Sequence, residues 1–212
     1  MRRPRFIAEQ ARHARGLLGR IIAFIMARET WAANRQAIAA MEISHHDHLL
    51  DVGCGHGRGL GALAARASKG LVVGIDPSRL MVEIAAKRNR RLVRAKRVRA
   101  VVAAVETLPF PDGAFDKALC VHVVYFWPDL EAALAETARV LKPGGRLALL
   151  FRTNANTAAV QSFPSDVYRF PSRAEMVTAL SGAGLSIDAT RTTGDEDSGP
   201  ILIIAERDGS RS

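Results

Sequence analysis

Cysteine is nearly absent from this chain: Cys54 and Cys120 are the only two among 212 residues. They lie inside apparent core strand or turn segments and show no C-x-x-C spacing, which excludes a disulfide framework or a zinc site as the organising feature and fits a reducing, cytoplasmic setting. Long apolar runs are missing too. The best candidate, LLGRIIAFIMA at 17–27, is interrupted by Arg20 and falls short of the ~20 apolar residues a bilayer span requires. The Ala27-Arg28-Glu29 that ends it is no signal-peptide cleavage pattern. There is no internal repeat and no low-complexity linker. Acids are the scarce charge, 21 against 30 lysines and arginines, for a formal net charge of +9. That excess favours anionic partners such as nucleic acid or anionic lipid and says nothing about the fold. What is left is a globular chain, 48% hydrophobic, long enough for one domain with a full core.

What is present centres on residues 48–60, HLLDVGCGHGRGL. Leu49 and Leu50 lead into Asp51 and Val52, glycines follow at 53, 55, 57, 59 and 61, and GALAARA continues from there. This order reads as a strand, a tight turn and a helix start. Glycine suits such a turn because it tolerates positive φ and lets a ligand approach the backbone, and the amides of the helix N-terminus point at whatever sits there. The dinucleotide fingerprint G-x-G-x-x-G fails in each frame, because Arg58 and Leu60 stand where its third glycine belongs. The spacing is D-x-G-x-G-x-G instead. A buried acid ahead of the glycines would repel a pyrophosphate, yet suits a ligand bearing an ammonium group. LLDVGCGHG resembles motif I of the class I S-adenosylmethionine (SAM)-dependent methyltransferases; the alternative is a structural βα turn in some other α/β protein.

Three further stretches extend the resemblance in the right order. LVVGIDPS at 71–78 reads as a second buried strand ending in an acid, Asp76, 25 residues beyond Asp51. TLPFPDGAFD at 107–116 resembles the LPF-P-D-x-x-FD signature of the quinone-biosynthesis-like and general small-molecule methyltransferases, and RVLKPGG at 139–145 is typical wording of the same family. The resemblance implies an α/β, Rossmann-like three-layer sandwich. Its seven-stranded, mostly parallel sheet has the order 3-2-1-4-5-7-6 with strand 7 antiparallel, and N-terminal helices cap it. It also implies one structural unit made of a cap, 1–47, and a SAM-binding domain, 48–212. The function implied is methyl transfer from SAM to a small-molecule acceptor. Asp51, Gly53, Cys54, Gly55 and Gly57 would surround the methionyl end, with Asp51 orienting its ammonium. Asp76 would accept charge-assisted bonds from the ribose hydroxyls, beside Pro77 and Ser78, with Met81 packed on adenine. Ala104, Val105 and Glu106 would border adenine, and Val121 and His122 would close the site. In much of the family an Asp four residues before the Leu-Pro pair bonds the adenine amino group. Here that position is Ala104, which points to weaker adenine recognition or to replacement by backbone and Glu106.

The flanks are less specific. The N-terminus is rich in arginine, from Arg2, Arg3 and Arg5 to Arg28, and residues 17–27 within it have two readings. They cap the cofactor site, as the resemblance implies, or they lie on a membrane surface with arginines near anionic headgroups. The cap is the expectation, since an apolar run must be buried somewhere. A helix is expected over 30–41, carrying Trp31 and Asn34 as packing or ligand contacts. His45, His46 and His48 read as a solvated turn, and no metal site is expected. KRNRRLVRAKRVR, 87–99, has eight basic residues and no acid. Without interleaved aromatics for stacking it reads as a helix end and loop, not a nucleic-acid surface. The fourth strand, 115–121, should open at its C-terminal end on the ligand crevice. There His122 is the base candidate, since neutral imidazole works near pH 7; a structural histidine is the alternative. Tyr125 and Tyr168 would orient the acceptor, and the polar segment 152–165 would line its pocket. Helices are expected over 130–141 and 172–181, and strands over 146–151, 185–191 and 200–205, the last two joined by an acidic turn at 194–199. No catechol-type metal triad and no N-P-P-[YF] motif is present, so metal-dependent O-transfer and nucleobase-amine transfer are not expected. Two alternative functions stand beside the first: a membrane-associated lipid or quinone methyltransferase, and a nucleic-acid-binding or non-catalytic SAM-binding protein.

Overall fold

Alternation along one short strand shows how the core is divided. In β1 (Leu49–Val52), Leu49 packs into one hydrophobic cluster and Leu50 into the other, on opposite faces of the sheet. The computed structural model describes residues 4–192 and 197–209. Three helices precede the sheet: α1 (Arg5–Arg12), α2 (Gly16–Glu29) and α3 (Trp31–Ala40). After β1 come α4 (Arg58–Arg66), β2 (Val72–Asp76), α5 (Arg79–Arg88), α6 (Arg90–Arg94) and β3 (Val98–Val102). β4 (Phe115–Val121), α7 (Leu130–Val140), β5 (Leu141–Phe151), α8 (Thr157–Ser162), α9 (Arg173–Gly182), β6 (Leu185–Thr192) and β7 (Ile201–Arg207) complete the chain.

The sheet has the order β3-β2-β1-β4-β5-β7-β6. β3 to β5 run parallel, and β7 is antiparallel to both β5 and β6. This is the expected Rossmann-like arrangement. β1 and β2 are buried along their whole length, which is why both read as continuous apolar runs, as strands covered on two faces must. The strand order reverses at β1, between β2 and β4, so a crevice opens beyond the C-terminal ends of these three strands.

Several boundaries differ from the sequence reading, each for a local reason. α4 begins at Arg58, directly after the glycine turn, with Gly57 as its left-handed N-cap at φ 76°. β5 begins at Leu141, five residues early, because Leu141 pairs with Phe115 before a register shift lets Arg146 pair with Lys117. A short helix, α6, lies inside the basic 87–99 stretch, and α8 lies inside the segment expected to be irregular. Part of the basic stretch serves the fold directly. Arg97 donates to the carbonyls of Ala64, Ala67, Ser68 and Gly70, capping the C-terminal end of α4. Arg2, Arg3 and residues 193–196 of the acidic turn fall outside the described residues. No helix among the described residues is long and apolar enough to cross a membrane.

Candidate functional site

A cavity of about 290 Å³ occupies the crevice at the ends of β1, β2 and β4. Of the residues the resemblance assigns to the cofactor, all but Gly57 line it. Gly57 faces elsewhere: a Cβ there would lie 2.6 Å from the Cβ of Ala85 and 3.0 Å from the Asn89 amide nitrogen. Its glycine is required for α4 to approach α5, with Asn89 Nδ2 donating to its carbonyl at 2.8 Å. Gly55 is different. It has φ 51°, and the space its side chain would take is open, a cradle a ligand can enter without meeting a Cβ.

Two acids face that cradle. Asp51 is only 5% exposed. Its Oδ2 lies against the first turn of α4, where a Cβ on Gly59 would sit 3.0 Å away. Among the described residues its carboxylate accepts no hydrogen bond. Burial first, and then the charge of Asp76, push its pKa up to about 7. Asp76 is better provided. One oxygen accepts the Gly55 N–H at 3.1 Å and the other the Ser78 N–H at 2.8 Å. Burial outweighs those two bonds, and its pKa is pushed up to about 6. The same burial raises the thiol of Cys54, between them in the cavity wall, well above its ordinary value.

Ser78 joins the N-terminal segment to this loop. Its hydroxyl caps α5 by accepting the Met81 N–H and donates to the Ala14 carbonyl at 2.8 Å. Gln10 to Ala14 thereby line the cavity, together with Trp31 and Asn34 of α3. Arg58 stacks its guanidinium over the Trp31 ring at 4.0 Å. The N-terminal segment thus contributes to the cavity wall, but its apolar run is not buried there. Ile22 is buried, while Leu17 is 79% and Ile21 59% exposed, and Leu18 and Ile25 are exposed as well. The expectation that the run must be buried is corrected: the turn after α1 closes the cavity while α2 turns an apolar stripe outward.

Ala104 and Glu106, expected to border adenine, line the cavity. Glu106 Oε1 is buried without a hydrogen-bond partner. The wall behind them is clamped from α7: Glu136 accepts the Leu108 N–H at 2.8 Å, and Arg139 donates to the carbonyls of Leu108 and Phe110 and to Asp112.

At the end of β4, His122 lines the cavity with its backbone at φ 57°. Its Nδ1 lies 2.9 Å from the Tyr125 hydroxyl, which accepts the Arg152 N–H at 2.7 Å. Burial and the Arg152 charge push the His122 pKa down to about 4, so the ring is neutral near pH 7. Tyr125 lies behind it, buried among Phe126, Tyr168 and Phe170. Tyr168 is buried in the same aromatic group, and the segment 152–165 also stands off the cavity. Phe126, Trp127 and Pro128 form that wall instead. Two more residues that sequence reasoning missed carry buried nitrogens without partners, Arg12 Nε and His56 Nε2. His56 sits within the glycine run itself, between Gly55 and Gly57, and could have been read there; no local signal marks Arg12, whose position depends on how the N-terminal segment closes over the sheet.

A family model described as "Methyltransferase domain" matches residues 50–149. The chain is 31% identical over 145 residues to the uncharacterized methyltransferase YdaC of Bacillus subtilis, a match covering 68% of this chain and 78% of that protein. It is 36% identical over 118 residues to the 2-phytyl-1,4-naphtoquinone methyltransferase of Synechococcus elongatus, covering 55% of this chain and 50% of the relative. Among other curated relatives the span is a minority of the relative's own length, such as 31% and 41%. The crystal structure of geranyl diphosphate C-methyltransferase from Streptomyces coelicolor A3(2), solved with S-adenosyl-L-homocysteine, superposes with a TM-score of 0.70 at 20% identity, over 83% of this chain and 77% of that one. The chain belongs to the class I SAM-dependent methyltransferases, and SAM is the cofactor of that family.

Proposed function

We propose that the chain transfers the methyl group of SAM to a small-molecule acceptor in the cavity described above. The observation that carries the reading is the pair of buried carboxylates, Asp51 and Asp76, facing an open glycine cradle. An unpartnered buried carboxylate suits a ligand that brings an ammonium group, so Asp51 would hold the amino end. Asp76 would hold the ribose hydroxyls and Glu106 the adenine edge that Ala104 leaves without a carboxylate. Bound there, SAM supplies a sulfonium-activated methyl group. The chain's own contribution is to hold the acceptor in line and exclude water, and positioning of this kind is worth up to ~7–11 kcal/mol. The free, buried cysteines fit a reducing, cytoplasmic setting.

Incubation with SAM and a metabolite extract should yield a product heavier by one methylene, read by mass spectrometry, and calorimetry should show S-adenosylhomocysteine binding. Absence of both sinks the reading. Within it, Glu106→Gln should weaken SAM binding about fivefold to tenfold, the worth of one hydrogen bond. Adding Ala104→Asp in that background should restore the affinity. Unchanged affinity in Glu106→Gln would assign adenine to backbone contacts alone.

One observation favours a second reading, a lipophilic acceptor presented at a membrane. Leu17, Leu18, Ile21 and Ile25 form an exposed stripe on α2, flanked by exposed Arg15 and Arg20. This is the pattern of a helix lying on an anionic bilayer surface. The named activity of the Synechococcus relative, on a phytyl-bearing naphthoquinone, supports the same idea. Each arginine near such a surface contributes ~1 kcal/mol, and salt screens that attraction. Vesicles containing phosphatidylglycerol should therefore sediment the protein at low salt and release it at high salt. Leu17→Glu with Ile21→Glu should abolish sedimentation while leaving SAM affinity unchanged. No sedimentation of the unaltered protein at low salt would remove this reading.

A further inference from the structure

The hydrogen bonds behind His122 decide where its ring proton sits. The Tyr125 oxygen makes two hydrogen bonds among the described residues, accepting the Arg152 N–H and meeting His122 Nδ1. A phenol has one hydrogen to place. Pointed at Nδ1, it completes both bonds. If Nδ1 carried the hydrogen instead, the phenolic O–H would be stranded inside the aromatic wall of Phe126, Tyr168 and Phe170, and a buried polar hydrogen without a partner is the costlier arrangement. Nδ1 is therefore an acceptor, and the neutral ring carries its hydrogen on Nε2. Tyr125 stands behind the ring, off the cavity, so the opposite edge, with Nε2, is the one left to the cavity.

We infer that His122 works as a neutral Nε2–H hydrogen-bond donor held by Tyr125, not as a general base, and that the acceptor is an anionic oxygen nucleophile, a carboxylate or an ionised phenol. The substrate half rests on the methyl-transfer reading above. Protonating the ring would require a hydrogen on Nδ1, which strands that of Tyr125, and would set a cation near Arg152. The low pKa of about 4 agrees with both. The charged and titratable groups facing this ring are Arg152, from the residue after β5, and Tyr125, with Tyr168 behind it. Arg12 Nε, buried in the cavity region without a partner, is a second donor suited to an anion. An amine would meet no acceptor at these two groups, and a neutral alcohol would find no base in them; the carboxylates that share the cavity, Asp51, Asp76 and Glu106, are the ones assigned above to SAM. An anionic oxygen brings its own lone pair. It forms the new O–C bond with that pair, the C–S bond breaks with its electrons left on sulfur, and no proton has to be removed.

The test begins with histidine-15N-labelled protein and long-range 1H–15N spectra, with His122 assigned by loss of its signals in His122→Gln. The expected pattern is the Nε2–H tautomer, unchanged from about pH 5.5 to about pH 8. Tyr125→Phe, with folding checked by circular dichroism, should release the ring into mixed tautomers or into titration. An Nδ1–H pattern, or a wild-type ring that titrates near pH 6.5, overturns the assignment. In turnover, His122→Gln, whose amide can still donate, should retain about tenfold more kcat than His122→Leu; equal losses overturn the donor role. Finally, panels of carboxylic acids, phenols, aliphatic alcohols and amines are offered with SAM. Methyl esters or aryl ethers are expected, and methylated alcohols or amines overturn the substrate class. No product from any panel, with the metabolite extract still yielding a methylated product, would overturn the substrate class alone; no product from either and no S-adenosylhomocysteine binding would sink the methyl-transfer reading, while the spectra judge the tautomer independently.

Discussion

SAM affinity should fall about tenfold for each pH unit below about 7 if the ligand's ammonium pairs with ionised Asp51 as proposed, since that ionisation is suppressed below a pKa near 7. Asp51→Asn should flatten this dependence and weaken binding at pH 8. Stability moves the other way. Folding raises the Asp51 pKa from 3.8 to about 7, so the folded state binds the proton more tightly than the unfolded chain. The cofactor-free protein should therefore lose stability as pH rises between those two values, and Asp76, raised to about 6, adds to the same trend. Asp51→Asn should then melt higher than the parent at pH 8 without ligand, while binding SAM more weakly. Titration calorimetry and thermal melts across this range check both halves. An affinity that is flat between pH 5.5 and 8 would remove Asp51 from the ammonium site.

Asp76→Ala should cost more affinity than either Asp51→Asn or Glu106→Gln. The carboxylate would lose charge-assisted bonds to two ribose hydroxyls, each worth ~1.5–3 kcal/mol, so SAM binding should weaken on the order of a hundredfold or more. It would also release the Gly55 and Ser78 N–H groups it now accepts, loosening the loop that forms the cradle. The fold should survive, because the pairing of β2 with β1 and β3 is made by backbone alone. Asp76→Asn keeps an acceptor oxygen and should lose less than Asp76→Ala. Affinity within twofold of the parent in Asp76→Ala would refute the ribose assignment.

Local chemistry made most of the sheet legible. β1, β2 and β4 carry buried apolar runs, and the acids at 51 and 76 stand where a turn begins and a strand ends. Ser78, Asp129 and Ser172 cap the helices that follow them, and the antiparallel β6–β7 pair lies where turn residues placed it. What was not legible depends on partners far away in the chain. Gly57 reads like its neighbours in the glycine run, and only the approach of Ala85 and Asn89 gives it a different role. The setting of His122 was not legible either: Tyr125 and the Arg152 N–H, contributed from the residue after β5, form the hydrogen-bond chain behind its ring. The entry of Arg12 and His13 into the cavity, and the outward face of α2, follow from how the N-terminal helices dock, a choice that periodicity alone does not encode.

The thiol of Cys54 shares this wall. A sulfonium methyl donor is an electrophile, and a thiolate beside it would compete with the proper acceptor and alkylate the enzyme itself. Only the thiolate is a strong nucleophile. The burial that raises the Asp51 pKa also holds Cys54 protonated at neutral pH, so a sulfonium donor bound here as proposed would lie against a thiol too weakly nucleophilic to consume it.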